Sequence, residues 1–147
     1  MGMWNHVGLC VSDLDRAIRF YGEAFGFTER NRLAIPDPIA SKLLRVPEPV
    51  GMTAAYLTLG DAEAGGAVLE LLHFDRPGND PQRERSFTEP GLTHISLTVD
   101  DVAATCDRVR ALGGEVLDDT DVGGLAIMVR DLDGQIVELL PPGALPQ

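Results

Sequence analysis

The stretch THISLTVDD, residues 93–101, decides the fold because the same arrangement occurs earlier in the chain as NHVGLCVSD, residues 5–13. Both segments alternate polar and apolar positions, the pattern of a β-strand with one buried face. A histidine is the second residue of each segment, His6 in the first and His94 in the second. The repeat predicts two copies of one structural unit.

A helix is predicted directly after each of these strands. Apolar residues continue at positions i, i+4 and i+7 in both copies, which is typical of a helix that packs one face against a core. Ser12 and Asp100 are the expected N-cap residues because their side chains can accept hydrogen bonds from the first free backbone N–H groups. The predicted helices cover residues 13–24 and 101–112.

Three further strand-like runs follow each helix, and turns rich in glycine or aspartate separate the last two. Each half is therefore predicted to be a βαβββ module of an α+β protein. The first module is expected at residues 1–74 and the second at 93–142, with a linker at 75–92 and a tail at 143–147.

The first half carries an insertion, PDPIASKLLRVPEP, at residues 36–49. Its prolines bracket a possible short helix. An insertion of this kind more often shapes a pocket or an interface than a core.

Composition and charge limit the class of protein. The chain of 147 residues is 44% hydrophobic, which suits a folded domain, and its net charge of -11 disfavours nucleic acid and anionic membranes as partners. Cys10 and Cys106 form no CxxC motif, and no apolar run of about 20 residues is present. We expect a cytoplasmic protein with a small-molecule substrate, and with no nucleic acid or membrane partner.

A carboxylate lies in the middle of the last apolar strand of each half, Glu70 in the first and Glu138 in the second. Such a charge is costly to bury unless a partner compensates it. Strand alternation places His6 and His94 on the faces away from the helices. Two imidazoles and two carboxylates that converge would bind one divalent metal ion with coordination positions open for water or substrate.

We therefore predict that the metal ligands are His6, Glu70, His94 and Glu138. The ion is expected to be Ni, Co, Mn, Fe or Zn, and no site for an organic cofactor is predicted. Taken alone, each histidine would be an ordinary strand or core residue and each glutamate an edge-strand residue. Their joint symmetry under the repeat favours the metal site, whereas His73 has no counterpart in the second half and is interpreted as structural.

Two longer stretches, residues 5–27 (NHVGLCVSDLDRAIRFYGEAFGF) and residues 129–141 (VRDLDGQIVELLP), resemble the vicinal oxygen chelate superfamily. That superfamily includes glyoxalase I, methylmalonyl-CoA epimerase, extradiol dioxygenases and bleomycin- and fosfomycin-resistance proteins. The resemblance implies paired βαβββ modules that form a U-shaped mixed β-sheet around a metal, with helices on the outer face. It also implies a homodimer, with the site completed either within one chain or between two.

The four predicted ligands resemble those of the isomerase branch of the superfamily. That branch implies abstraction of a proton next to a carbonyl or thioester, in a thioester or hemithioacetal substrate. Glu138 is the expected general base, with Glu70 as a ligand and possible second base. Two alternatives stay open: an antibiotic-binding protein of the bleomycin-resistance type, and an extradiol-type dioxygenase, which Glu70 disfavours because a fourth ligand would crowd the metal.

A negatively charged thioester substrate would need local positive charge in this acidic protein. Three arginines are candidates for that contact: Arg45 in the insertion, and Arg83 and Arg85 in the linker. The ordinary interpretation is that they are solvated surface charges.

Overall fold

The two histidine segments lead into two separate sheets of four strands each. These are found in the described residues of the computed structural model, which are 1–60, 68–75 and 86–144. The chain divides into two units, Met1–Asn79 and Asp80–Gln147, and each sheet belongs to one of them.

The first unit is a βαβββ module with a second helix inserted after its second strand. Its elements are β1 (Val7–Cys10), α1 (Leu14–Phe25), β2 (Thr28–Ile35), α2 (Asp37–Leu44), β3 (Met52–Thr58) and β4 (Val68–Phe74). Strands β1 and β4 pair in parallel, whereas β4 with β3 and β3 with β2 pair antiparallel.

The second unit repeats this topology without the inserted helix. Its elements are β5 (Ile95–Thr98), α3 (Val102–Ala111), β6 (Glu115–Leu117), a 3-10 turn (Asp118–Thr120), β7 (Ile127–Arg130) and β8 (Ile136–Leu140). Strands β5 and β8 pair in parallel, whereas β8 with β7 and β7 with β6 pair antiparallel. The prediction of an α+β protein with two βαβββ modules is confirmed. No helix in the described part of the chain has the length and apolarity that crossing a membrane requires.

The helix caps differ by one residue from the sequence prediction. The N-cap residues are Asp13 and Asp101, not Ser12 and Asp100. Each aspartate has an extended backbone, and its carboxylate accepts from the backbone N–H three residues later, at 3.0 and 2.9 Å. This places the carboxylate at the positive end of the helix, where a negative charge is favourable. Both helices consequently begin one residue later than predicted.

Strand alternation in β1 and β5 follows the prediction. Leu9 and Leu97 are buried, whereas Gly8 and Ser96, which point to the other face, are exposed. The apolar face of each strand belongs to the core of its unit, which leaves the histidine face available for a site.

The inserted helix α2 confirms the short helix predicted within residues 36–49. It buries Ala40, which packs in one cluster with Val50, Met52 and Ala54. The insertion thus joins the core of the first unit through β3. Arg45 is exposed just beyond α2 in a left-handed backbone conformation, and Arg83 and Arg85 lie outside the described residues.

Removing either cap should destabilise the protein. We expect Asp13→Ala and Asp101→Ala each to lower the free energy of unfolding by about 1 kcal/mol, because a free N–H group of the first helical turn loses its acceptor. Urea denaturation followed by circular dichroism measures this. The variant Asp100→Ala is the matched control, and an equal loss in this control would contradict the cap assignment.

The two cysteines should differ in reactivity. Cys10 is exposed, whereas Cys106 is buried in α3, and this burial raises the pKa of its thiol. A higher pKa and poor access both lower the rate of reaction with an alkylating reagent. We expect iodoacetamide to modify Cys10 rapidly in the folded protein and Cys106 only on unfolding, as peptide mass spectrometry would detect. Equal rates in the folded state would show that α3 does not shield its thiol.

Candidate metal centre

The first histidine–glutamate pair is formed by the parallel strands β1 and β4. Gly8 and Glu70 are register partners, so the Glu70 side chain lies on the face of the sheet toward which a side chain at position 8 would point. His6 lies two residues before Gly8 and shares that face. As a result, His6 Nε2 is 3.0 Å from Glu70 Oε2.

The second oxygen of Glu70 has its own partner. Tyr56 is the antiparallel register partner of Glu70 on β3, and its hydroxyl donates a hydrogen bond of 2.7 Å to Glu70 Oε1. This hydrogen bond, together with burial, raises the pKa of Tyr56 to about 12. The phenol therefore stays protonated at neutral pH and remains a donor. Glu70 is only 9% exposed, and these contacts compensate its carboxylate for the loss of water.

The second unit repeats the pair at the corresponding positions of β5 and β8. Ser96 and Glu138 are register partners, and His94 lies two residues before Ser96. His94 Nε2 is 3.6 Å from Glu138 Oε2. The Ser96 hydroxyl donates a hydrogen bond of 2.7 Å to the same carboxylate oxygen.

The residue before each histidine contacts the other nitrogen of the ring. His6 Nδ1 is 2.5 Å from Asn5 Oδ1, and His94 Nδ1 is 2.9 Å from Thr93 Oγ1. The ring of Phe87 also stacks on His94 at a centroid distance of 5.8 Å. In both units Nδ1 is thus held by its neighbour, and Nε2 is the nitrogen that faces the carboxylate.

The donor atoms of each pair fit a divalent metal ion. Asn5 Oδ1 can only accept, so Nδ1 of His6 is the donor in this contact, and Nε2 faces Glu70 Oε2. A nitrogen and a carboxylate oxygen at 3.0 Å need a proton or a cation between them, and both are donor atoms that divalent first-row metals accept. A histidine whose second nitrogen donates to an oxygen is the usual form of a metal-ligating histidine.

The structure brings the four predicted ligands together as two pairs, His6 with Glu70 and His94 with Glu138. No cluster of three or more histidine, cysteine, aspartate or glutamate side chains suited to a metal ion occurs within residues 1–60, 68–75 and 86–144. The convergence of both pairs on one ion stays a prediction.

His73, the third histidine, is separate from both pairs. It is the register partner of Thr53 and borders an open depression of the first unit together with Asp13 and Arg32. Arg32 is already paired there with the carboxylates of Asp15 and Glu29. The structural role of His73 stays a prediction.

Several residues of the half-sites were not predicted from the sequence. Tyr56 could have been identified only from the exact register between β3 and β4, which the length of the intervening turn does not reveal. Strand alternation places Ser96 on the same face as His94, but its hydrogen bond to Glu138 was not predicted. Nothing in the sequence singled out Asn5 or Phe87.

Comparison with known proteins shows which family the chain is similar to. Residues 4–139 match the Glyoxalase/Bleomycin resistance protein/Dioxygenase superfamily. The chain is 34% identical over 141 residues to a probable lactoylglutathione lyase of Vibrio parahaemolyticus, covering 92% of this chain and 87% of that protein. It is 33% identical over 141 residues to the lactoylglutathione lyase of Haemophilus influenzae, covering 92% of this chain and 89% of that protein.

Among solved structures, the chain is similar to glyoxalase I of Leishmania major, which is described as trypanothione-dependent. The TM-score is 0.66 at 26% sequence identity, and the match covers 92% of this chain and 84% of the other. The sequence and structural comparisons therefore agree on the same superfamily.

Proposed function

This chain belongs to the Glyoxalase/Bleomycin resistance protein/Dioxygenase superfamily, and we propose that within it the protein is a lactoylglutathione lyase. Such an enzyme isomerises a hemithioacetal to a 2-hydroxyacyl thioester. The observation that carries the proposal is the histidine–glutamate pair, which occurs twice at equivalent positions of the two sheets. The names of the similar bacterial proteins support this activity over the epimerase and dioxygenase alternatives.

We propose that one divalent metal ion, Ni, Co, Mn, Fe or Zn, is held by His6, Glu70, His94 and Glu138. Two imidazole nitrogens and two carboxylate oxygens suit any of these borderline ions. When bound, the ion supplies positive charge that stabilises the oxygen anion formed when the substrate loses a proton. The contacts of His6 Nε2 and His94 Nε2 with carboxylate oxygens support this assignment.

Glu138 is the proposed base. Its side chain is 20% exposed, against 12% for Glu70, and its oxygen is farther from its histidine, at 3.6 Å against 3.0 Å. Both described contacts of Glu138 fall on Oε2, whereas Glu70 uses both of its oxygens. Glu138 is therefore the carboxylate with more freedom to take up a proton, while Glu70 is held as a ligand.

The proposed reaction is a proton transfer between adjacent carbons. The C–H bond of the hemithioacetal carbon breaks, and its proton passes to the Glu138 carboxylate. The same proton is returned to the neighbouring carbonyl carbon, while the hydroxyl proton moves from the oxygen of the first carbon to that of the second. The first carbon is oxidised to a thioester and the second is reduced to an alcohol, so no external oxidant or reductant is required.

A homodimer is proposed as the functional assembly, in keeping with the resemblance to the superfamily. Each chain contributes two half-sites, and a complete site needs one from each unit. The two half-sites that meet can come from one chain or from two.

Metal content tests the proposed ligands. We expect the purified protein to contain a divalent metal by elemental analysis, and His6→Ala or His94→Ala to lose most of it, because each removes one nitrogen ligand. His73→Ala is the matched control, since the chain has three histidines and the third contacts neither carboxylate pair. Equal metal loss from His73→Ala would contradict the assignment.

Formation of a thioester from methylglyoxal and glutathione tests the activity. We expect turnover by the metal-loaded protein, and a decrease in kcat of about 10²–10⁴-fold in Glu138→Gln, because an amide cannot accept the proton. Metal content of this variant is measured in parallel, so that loss of the ion is distinguished from loss of the base. A metal-free protein with no turnover and tight binding of a basic antibiotic would favour drug sequestration instead.

A further inference from the structure

The two half-sites differ in the hydroxyl group that holds the carboxylate. In the first unit the donor is Tyr56 on β3, and it binds Glu70 Oε1, the oxygen that does not face His6. In the second unit the donor is Ser96 on β5, and it binds Glu138 Oε2, the same oxygen that faces its histidine.

The difference is built into the register of the strands. The position of Tyr56 opposite Glu70 is taken in the second unit by Met128, opposite Glu138. The position of Ser96 opposite Glu138 is taken in the first unit by Gly8. Each carboxylate thus receives one hydroxyl group, but from a different neighbouring strand and on a different oxygen.

We propose that Tyr56 is a positioning residue that fixes Glu70 as a metal ligand through Oε2; this inference rests on the proposed function. A carboxylate can exchange its two oxygens by turning about its last single bond. The hydrogen bond of 2.7 Å from the phenol to Oε1 opposes that rotation and leaves Oε2 beside Nε2 of His6. Hydrogen bonds to an ionised acceptor are among the stronger ones in proteins.

The burial of the first pair strengthens this restraint. Glu70 is 9% exposed, so water competes little for its oxygens, and the ring of Tyr56 lies edge-on to His6 at a centroid distance of 6.0 Å. Tyr56 thus contacts both proposed ligands of the first unit. Among the described residues, the contacts of Glu138 with Ser96 and His94 both fall on Oε2 and not on Oε1, which agrees with the assignment of Glu138 as the carboxylate that moves a proton.

The arrangement in the second unit shows which substitution would move the hydroxyl group in the first. A Cβ added at Gly8 would lie 3.5 Å from Leu72 Cδ1 and 3.6 Å from Glu70 Oε2, both ordinary contacts. A serine at that position can therefore reach Glu70 as Ser96 reaches Glu138. In the double variant Tyr56→Phe/Gly8→Ser, the first half-site acquires the hydroxyl arrangement of the second.

Affinity for Co²⁺, measured on metal-stripped protein by competition with a chelator, tests the proposal. We expect Tyr56→Phe to weaken Co²⁺ binding by about 10–100-fold, the usual effect of removing a group that orients a ligand. The double variant Tyr56→Phe/Gly8→Ser should stay weak, because its hydroxyl group, like that of Ser96, would bind Oε2 and leave Oε1 unrestrained. Recovery of Co²⁺ affinity in the double variant would contradict a restraint that acts through Oε1.

Tyr21→Phe is the matched control, because Tyr21 is the other tyrosine of the chain and is buried in α1 of the same unit. It should leave Co²⁺ affinity unchanged. If Tyr56→Phe does not fold, Tyr56→Met replaces it, since Met128 occupies the equivalent position. Unchanged affinity in both Tyr56 variants would overturn the positioning role while the proposed function stands, whereas wild-type protein that binds no Co²⁺ would overturn both.

Discussion

A carboxylate inside an apolar strand is the constraint on which the rest of each half-site depends. Glu70 lies between Leu69 and Leu71, which are 2% and 0% exposed, so its charge must find partners within the protein. The parallel register with β1 provides His6, and the antiparallel register with β3 provides Tyr56. Both neighbouring strands are needed, and a shift of one residue in either would turn the partner to the other face.

The histidine–glutamate pair occurs in both modules, but the residues around it differ. The histidine and glutamate keep their places relative to the strands in both units, because the parallel pairing of the first and last strands is the same. The hydroxyl donors differ, with Tyr56 in one unit and Ser96 in the other. This difference supports the two roles that we propose for the carboxylates, Glu70 as a fixed ligand and Glu138 as a base.

The sequence predicts the modules well because their signals are local. Strand alternation and helical periodicity give the elements, and the shared alternation places His6 and His94 on one face of their strands. The caps were wrong by one residue because two residues that can cap a helix are adjacent in each unit, Ser12 and Asp13 in the first and Asp100 and Asp101 in the second. The contacts of Tyr56 and Asn5 were not predictable, since they depend on exact register and side-chain orientation. The predicted convergence of the two histidine–glutamate pairs depends on tertiary arrangement, which has no local signal in the sequence.

The inserted segment that contains α2 lies in the connection between His6 and Glu70, and it adds little to the entropy cost of bringing these two residues together. Glu70 follows His6 by 64 residues, whereas Glu138 follows His94 by 44. The entropy lost when a chain closes a loop grows only with the logarithm of its length, by about 0.6 kcal/mol for each doubling. The connection in the first unit is less than twice as long as that in the second. The length of the insertion therefore has little effect on the free energy of closing the loop between β1 and β4.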